Sequence, residues 1–257
     1  VAAFVVGTLT YAAGTLGFTF VLLAFFVPSV LLSRIGRARK RALVDVGQHG
    51  ARDAMQVIAN GGVATFCAVV WALQHDPRWA LAFAGAYAAA TADTWATEIG
   101  TLARRQPRSI LTLRPVATGM SGGVTVPGTL AELAGALWLG VTGSAGIAAA
   151  YVLNVADLGV AWRTQAPAAY TLPVAMLLAI PLGGIAGATL DSVLGATVQE
   201  LRRCDVCERA CETDPHACGA PSRLVRGVRG FSNDVVNLLA TATGAAVAFG
   251  VATAFAR

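Results

Sequence analysis

Four carboxylate side chains stand within or beside long apolar stretches of the sequence: Asp93, Glu98, Asp191 and Asp234. A charged group at the bilayer centre costs at least about 2.5–3.5 kcal/mol on insertion scales, so such groups usually have a function. Hard divalent cations take carboxylate oxygens and keep phosphate oxygens as further ligands. The four residues therefore predict a shared Mg²⁺ site that handles phosphate. The structural alternative is that each is a helix-end charge or a hydrogen-bond partner between helices.

Helical spacing divides these polar residues into groups. Asp93 and Glu98 are five residues apart, which places them about 140° apart on an ideal helix. Either the chain unwinds between them or they serve neighbouring sites. Asn233 and Asn237 are four residues apart and share a face, with Asp234 beside them, which predicts a polar stripe at the start of an apolar helix.

Two glycine-rich segments carry further polar groups. Residues 117–125 join a basic segment to an apolar stretch, and convergent backbone N–H groups at a helix N-terminus can hold an anion. Arg108 and Arg114 lie just upstream and could pair with phosphate. The alternative for residues 117–125 is a flexible turn. The second segment is Asn60 with the two glycines that follow it, and its alternative is a kink or a packing site in the helix. The candidate positions in the turn are Gly119, Ser121, Gly122 and Gly123.

One short loop holds a possible set of metal ligands: Cys204, Cys207, His216 and Cys218. Cys-x-x-Cys followed by His-x-Cys is compatible with a small structural Zn²⁺ site. Free thiols are the alternative, because the loop is short and Cys211 is left over. Disulfides are not expected on the cytoplasmic side of a membrane.

Composition indicates what positions these groups. The chain has 257 residues, of which 56% are hydrophobic and 13% charged, whereas a soluble domain carries about 25% charged residues. Long apolar runs without strand-like alternation predict an all-α, polytopic transmembrane helical bundle, with residues 1–257 forming one integral membrane domain. The net charge of +5 comes from arginines beside the apolar segments. That distribution is typical of cytoplasmic loops and argues against nucleic-acid binding.

About six spans are expected, and the first is interpreted as a span and not as a removed signal. An interrupted segment, 143–166, holds Asn154, Asp157 and Arg163 and is expected to be re-entrant or interfacial. Six spans then place all the arginine-rich loops, including the cysteine-containing loop 200–230, and all four carboxylates at the cytoplasmic side. A broken hairpin over 170–199 would satisfy the charge bias equally well. The six spans are expected at residues 1–32, 53–73, 79–92, 124–141, 170–199 and 232–255.

Several motifs together resemble one family. In chain order they are Arg52-x-x-x-Gln56-Val57-x-Ala59-Asn60-Gly61-Gly62, Ala92-Asp93-Thr94-Trp95-Ala96-Thr97-Glu98-Ile99-Gly100, Pro107-Arg108-x-Ile110, Gly119-x-Ser121-Gly122-Gly123-Val124, Leu190-Asp191-Ser192-x-Leu194-Gly195-Ala196-Thr197-x-Gln199 and Asn233-Asp234-Val235-Val236-Asn237. On these motifs, which span most of the chain, the sequence resembles the DUF92 family of integral membrane proteins. That family includes the phytyl-phosphate kinase of plant tocopherol synthesis.

The resemblance implies a membrane kinase that transfers phosphate from a nucleoside triphosphate, CTP, to a prenyl monophosphate such as phytyl or geranylgeranyl phosphate. Asp93, Glu98, Asp191 and Asp234 would then hold Mg²⁺ and nucleotide phosphates. Arg108, Arg114 and the glycine turn would bind phosphate, and Asn60, Asn233 and Asn237 would orient it. The chain departs from the family where Arg114 replaces a lysine, which keeps the charge but changes how phosphate is held.

Two other functions fit the same residues. Intramembrane carboxylates and glycine-interrupted helices also suit a transporter or channel, although the sequence has no convincing internal repeat. A nucleotidyltransferase that forms a CDP-lipid would use the same Mg²⁺ and CTP but release diphosphate. In all three cases the expected location is the cell membrane, with lipid around the bundle and the active site on the cytoplasmic side.

Overall fold

A computed structural model describes residues 1–43, 54–158, 172–212, 214–216 and 218–255. Six long helices form a bundle, and a short helix and two small sheets lie at its end. The helices are α1 (Ala2–Arg34), α2 (Arg37–Leu43), α3 (Ala54–Gln74), α4 (Pro77–Gly100), α5 (Val126–Leu158), α6 (Leu172–Thr197) and α7 (Asn233–Phe255). The strands are β1 (Arg108–Ser109), β2 (Gly123–Val124), β3 (Leu201–Cys204), β4 (Ala210–Cys211) and β5 (Ser222–Arg226). Strands β1 and β2 pair antiparallel, and β3 lies between β4 and β5 in an antiparallel sheet.

The outside of the bundle is apolar. By length and composition, five segments suit a membrane crossing, namely Ala2–Arg34, Ala54–Gln74, Val126–Ala150, Ala175–Thr197 and Asn233–Phe255. Large hydrophobic side chains on these helices are exposed, including Phe20, Phe66, Leu137, Leu177 and Leu238. Such a surface is unfavourable in water and favourable in lipid. The predicted all-α membrane bundle is confirmed.

Helix α4 is the centre of the bundle. Every residue from Ala80 to Ala92 is buried, and α1, α3, α5, α6 and α7 all pack against this helix. Small residues allow that packing, because a Cβ added at Gly85 would lie 2.6 Å from the carbonyl oxygen of Gly244 on α7. Helices in membranes commonly approach each other through such small residues.

Two segments differ from their expected form, and a third agrees with it. Helix α5 runs without a break through residues 143–158, so this part of 143–166 continues the preceding helix and is not a re-entrant break; Arg163 and the rest of the segment lie outside the described residues. The hydroxyls of Thr142 and Ser144 donate to the carbonyls of Trp138 and Gly140, which satisfies these polar groups inside a continuous helix. Helix α6 is one helix, as expected for a single span over 170–199, and not the alternative broken hairpin. Helix α4 extends to Gly100, beyond the expected end at residue 92.

The basic connections meet at one end of the bundle, which we call the loop end. Gly36, which follows α1, lies against Leu102, which follows α4. Ser121, which precedes α5, accepts a hydrogen bond of 3.0 Å from the side chain of Gln199, which follows α6. The segment from Val198 to Ser232, which carries the three-stranded sheet, is called the cap.

Candidate functional site

Three helices carry carboxylates toward one place near the loop end. Asp93 on α4, Glu132 on α5 and Asp191 on α6 lie close enough to repel one another electrostatically, and Glu212 of the cap also lies close to Asp191. We call these four residues the acidic cluster. Each is half-buried. The cluster therefore has carboxylates from three helices and from the cap.

Small residues beneath the acidic cluster explain why the helices can converge. Ala92, Ala136 and Ala188 are buried together, one on each of the three helices. Asp93 follows Ala92 directly, whereas Glu132 lies four residues before Ala136 on a helix of opposite direction. The alanine layer thus lets the three backbones approach, and the carboxylates stand on its loop-end side.

Hydrogen bonding in the acidic cluster is incomplete among the described residues. The Thr189 hydroxyl donates to Glu132 Oε1 at 3.3 Å. The Oδ2 atom of Asp191 is buried and has no hydrogen-bond partner in the part of the chain that the structure describes. A buried oxygen without a partner is unfavourable by itself. A divalent cation would supply that partner and would also relieve the repulsion among the carboxylates.

Glu212 is held at the cluster by two side chains from other loops. Its Oε1 atom accepts hydrogen bonds from the Ser121 hydroxyl at 2.5 Å and from Gln199 Nε2 at 3.0 Å. Gln199 is only 1% exposed, so this contact is well shielded. Burial raises the pKa of the Glu212 carboxyl, while the Ser121 hydroxyl and the Arg226 guanidinium oppose that rise.

The glycine turn packs tightly against the end of α6. Gly119 and Gly122 have φ values of 83° and 78°, which glycine adopts without strain. A Cβ at Gly122 would lie 2.5 Å from the backbone nitrogen of Ala196. Gly123 pairs with Ser109 in the β1–β2 sheet. The turn is therefore a defined structural element, and it places Ser121 at Glu212.

The two candidate phosphate-binding arginines lie on the β1–β2 hairpin, and both are exposed. Arg108 Nη1 donates to the carbonyl of Leu113 at 2.8 Å. Arg114 lies beside β1 in the connection to β2, where its carbonyl accepts from the backbone N–H of Ser109. Both side chains are therefore accessible to solvent, and one guanidinium nitrogen of Arg108 is bonded within the loop.

Glu98 does not belong to the acidic cluster. It forms an ion pair with Lys40 of α2, and Lys40 also donates to the carbonyl of Leu32 at 2.9 Å. Because α4 stays helical between Asp93 and Glu98, the two carboxylates face different neighbours. The structure thus answers the question raised by the helical spacing: the chain does not unwind, and the residues have separate environments.

The polar residues at the start of α7 lie toward α3. The Thr241 hydroxyl donates to the carbonyl of Ala59 at 3.0 Å, which joins the two helices. Asp234 is seven residues before Thr241, so the two residues lie within about 20° of each other around the helix axis and share a face. Asn237 is 8% exposed, and the Asn60 side chain donates to the carbonyl of Gln56 at 3.0 Å. Asn233 begins the helix. The contact between α3 and α7 is thus a second polar region, bordered by Asp234.

The four predicted zinc ligands come together in the cap. We call Cys204, Cys207, His216 and Cys218 the Cys/His quartet; their ligand atoms all lie within 4.8 Å of one another. A hydrogen bond from the backbone N–H of Cys207 lowers the pKa of the Cys204 thiol to about 6. The lowered pKa favours the thiolate of Cys204, which is the form of cysteine that binds metals.

Two members of the acidic cluster were not expected from the sequence. Glu132 is the only charged residue in the apolar stretch 124–141, so the rule that identified the other carboxylates applies to it as well. Glu212 stands in a polar loop where charges are common, and nothing in the sequence distinguishes it from Glu200 or Glu208. Only the folded cap brings Glu212 to Ser121.

Comparison with known proteins adds the family context. A family model described as "Integral membrane protein DUF92" matches residues 1–245. The Arabidopsis thaliana protein described as "Protein PGR" is 31% identical over 260 residues, which cover 93% of this chain and 82% of the relative. An uncharacterized membrane protein of Methanocaldococcus jannaschii is 33% identical over 176 residues, covering 68% of this chain and 62% of its own length. Another from Synechocystis sp. is 31% identical over 202 residues, covering 77% and 69%. No solved structure matches the chain.

Proposed function

Because the chain belongs to the DUF92 family of integral membrane proteins, we propose that it is a membrane phosphotransferase acting on a prenyl monophosphate. The phosphate donor in this proposal is a nucleoside triphosphate, CTP, and the product is a prenyl diphosphate. The observation that carries the proposal is the acidic cluster, whose carboxylates converge at the loop end of an apolar bundle. The proposal also places the loop end on the cytoplasmic side, since the basic connections meet there.

The acidic cluster fits Mg²⁺ by the chemistry of its donors. Three other carboxylates lie near Asp191, and one buried oxygen of Asp191 has no partner among the described residues. Bound Mg²⁺ would neutralise charge on the phosphate oxygens of both substrates. The ligands we assign to it are Asp93, Glu132, Asp191 and Glu212, so Glu132 and Glu212 take the places first expected for Glu98 and Asp234.

The rest of the loop end suits the two substrates. A prenyl phosphate has an apolar tail and an anionic head, so its head reaches the acidic cluster while its tail lies along the apolar helices. Arg108 and Arg114, which project from the hairpin beside the glycine turn, would hold the triphosphate. Asn60, Asn233 and Asn237, with Asp234, would orient substrate at the contact between α3 and α7.

The proposed reaction needs no strong general base. A terminal oxygen of the prenyl phosphate attacks the γ-phosphorus of the triphosphate, and the bond from that phosphorus to the β,γ-bridging oxygen breaks. The products are a prenyl diphosphate and CDP. Because the attacking atom is already an anionic phosphate oxygen, catalysis rests on position and on electrostatic stabilisation of the transferred group.

Product analysis tests the proposal. The protein is purified in detergent and incubated with CTP labelled at the γ-phosphate or in the cytosine ring, Mg²⁺ and a panel of prenyl monophosphates. Prenyl diphosphate with CDP supports the kinase, a CDP-linked lipid indicates the nucleotidyltransferase, and no turnover with any lipid, together with ion or solute flux in vesicles, indicates the transporter or channel.

Two variants locate the chemistry in this assay. Asp93→Asn and Asp191→Asn are expected to lower Mg²⁺-dependent turnover at least 100-fold, because each removes a charged group that we assign to the metal. Glu208→Gln is the matched control, since Glu208 is a highly exposed carboxylate of the cap that pairs with Arg203. Turnover like the wild type in both aspartate variants would contradict the assignment.

A further inference from the structure

The Cys/His quartet has the dimensions of a tetrahedral metal site. Cys204 Sγ is 3.5 Å from Cys218 Sγ, and His216 Nδ1 is 3.3 Å from Cys207 Sγ and 3.1 Å from Cys218 Sγ. Zinc bonds of about 2.3 Å to sulfur and 2.0–2.1 Å to nitrogen give tetrahedral edges of about 3.5–3.8 Å. The sulfur–sulfur distances of 3.5 Å and 4.0 Å from Cys218 to Cys204 and Cys207 lie on either side of the ideal edge, and the sulfur–nitrogen distances are a few tenths of an ångström shorter than it. Disulfide sulfurs would instead lie about 2.05 Å apart. Three thiols and one imidazole are a ligand set that suits zinc.

Two turns of the cap present the ligands to one another. The backbone N–H of Cys204 donates to the carbonyl of Arg209 at 2.9 Å, which closes the turn that carries Cys207. On the other side, the N–H of His216 donates to the carbonyl of Ala220 at 3.0 Å. The quartet therefore joins the end of β3 to the loop between β4 and β5.

The cap has little apolar burial to stabilise it without a metal. Among the cap residues that the structure describes, the buried hydrophobic side chains are Leu201, Cys204 and Cys211, whereas Val206, Leu224 and Val225 are exposed. A polypeptide segment of this size with so small a core usually needs a disulfide or a metal ion to fold. Its free cysteines form no disulfide.

We propose that the Cys/His quartet binds one structural Zn²⁺ ion, and that this ion holds the cap in the form that brings Glu212 to the acidic cluster. Glu212 lies directly after β4 and four residues before His216, inside the loop that the zinc closes. Without zinc, the segment between Cys207 and Cys218 loses its anchor, and Glu212 leaves Ser121 and Gln199. The role of Glu212 rests on the proposed function, whereas the zinc site does not.

The zinc content of the purified protein tests whether the Cys/His quartet binds zinc. The full chain is purified in detergent without chelators, and elemental mass spectrometry is expected to find about one zinc per chain. Cys207→Ala and Cys218→Ala should lose the zinc. Cys211→Ala and Cys67→Ala are the matched controls and should keep it, since the first removes a thiol of the cap outside the quartet and the second a thiol in α3.

Two measurements on the wild-type protein test the zinc site even if the cysteine variants do not fold. Stepwise modification of the thiols with an organomercurial should release zinc to a chromogenic chelator as the three quartet thiols react. Substitution of Co²⁺ should give the absorption of a tetrahedral thiolate site. Wild-type protein without zinc, or zinc retained by the Cys207→Ala Cys218→Ala double variant, would overturn the zinc site.

Binding of Mn²⁺, a paramagnetic substitute for Mg²⁺, tests without measuring turnover whether zinc holds Glu212 at the acidic cluster. Loss of a supporting group typically weakens metal affinity about 10–100-fold, and we expect Cys207→Ala and Glu212→Gln to weaken Mn²⁺ binding alike. A zinc-free Cys207→Ala protein with wild-type Mn²⁺ affinity would refute the link to Glu212. A wild-type protein that holds zinc but binds no Mn²⁺ would remove that link and the proposed function together, and would leave the zinc site standing.

Discussion

The substitution Gly122→Ala separates the effect of the glycine turn from general backbone strain. Gly122 has a φ of 78°, where an alanine costs about 1–2 kcal/mol. The added Cβ would also lie 2.5 Å from the backbone nitrogen of Ala196, and backbone cannot yield as a flexible side chain would. Overpacking of this kind adds about 1–3 kcal/mol. The expected total loss of stability is thus about 2–5 kcal/mol, and the turn should withdraw from α6.

Gly230→Ala is the control for this experiment, because Gly230 has a φ of 86° and a Cβ there would meet nothing within 4 Å. Gly230→Ala has the same backbone strain as Gly122→Ala but no steric clash, so a loss of stability of about 1–2 kcal/mol is expected. The assay compares thermal stability in detergent with prenyl-phosphate turnover. Gly122→Ala should also lower turnover at least 10-fold, because Ser121 moves away from Glu212. Equal stability and equal turnover in the two variants would refute the reasoning.

Two further substitutions test electrostatic roles at the loop end. Glu98→Gln should lower the free energy of unfolding by about 1–3 kcal/mol, because Lys40, 13% exposed, loses its charged partner. Turnover of this variant should remain Mg²⁺-dependent. A loss of turnover as large as that of an acidic-cluster variant would return Glu98 to the metal site. In metal-free protein, burial raises the pKa of Glu212, so its charged form destabilises the fold. The wild type should lose stability relative to Glu212→Gln as pH rises from about 4 through that raised pKa, and a difference in thermal midpoint that does not change with pH would contradict this.

Much of the site could be predicted from residue type and spacing alone. Asp93 and Asp191 were identified because charges within apolar helices are unfavourable without a function, and the structure places them together. The angle of about 140° between Asp93 and Glu98 allowed either unwinding or two neighbouring sites, and the continuous helix α4 excludes the unwinding. The cysteine spacing predicted a set of ligands that the structure brings within 4.8 Å. These successes rest on local rules, namely helical periodicity and ligand chemistry.

The remaining parts depend on contacts between distant segments. Glu212 reaches the site only through the fold of the cap, and Lys40 meets Glu98 across 58 residues of sequence. The expected interruption of 143–166 was based on Asn154, Asp157 and Arg163, yet α5 continues as a helix past the first two of these residues to Leu158. Polar residues within an apolar stretch therefore do not by themselves end a helix. No local pattern separates this case from a true interruption.

The position of α4 explains why a search for the most apolar segments leaves out the helix that carries Asp93. Helix α4 is absent from the five segments that suit a membrane crossing by length and composition. Its residues from Ala80 to Ala92 face other helices, so most of them are small for close packing, and they do not need to be strongly apolar for contact with lipid. The same enclosure lets an acidic residue follow directly, because Asp93 faces other protein groups and not hydrocarbon. In this bundle the long helix that is left out of the five apolar segments is therefore the central helix, and it carries Asp93 of the site.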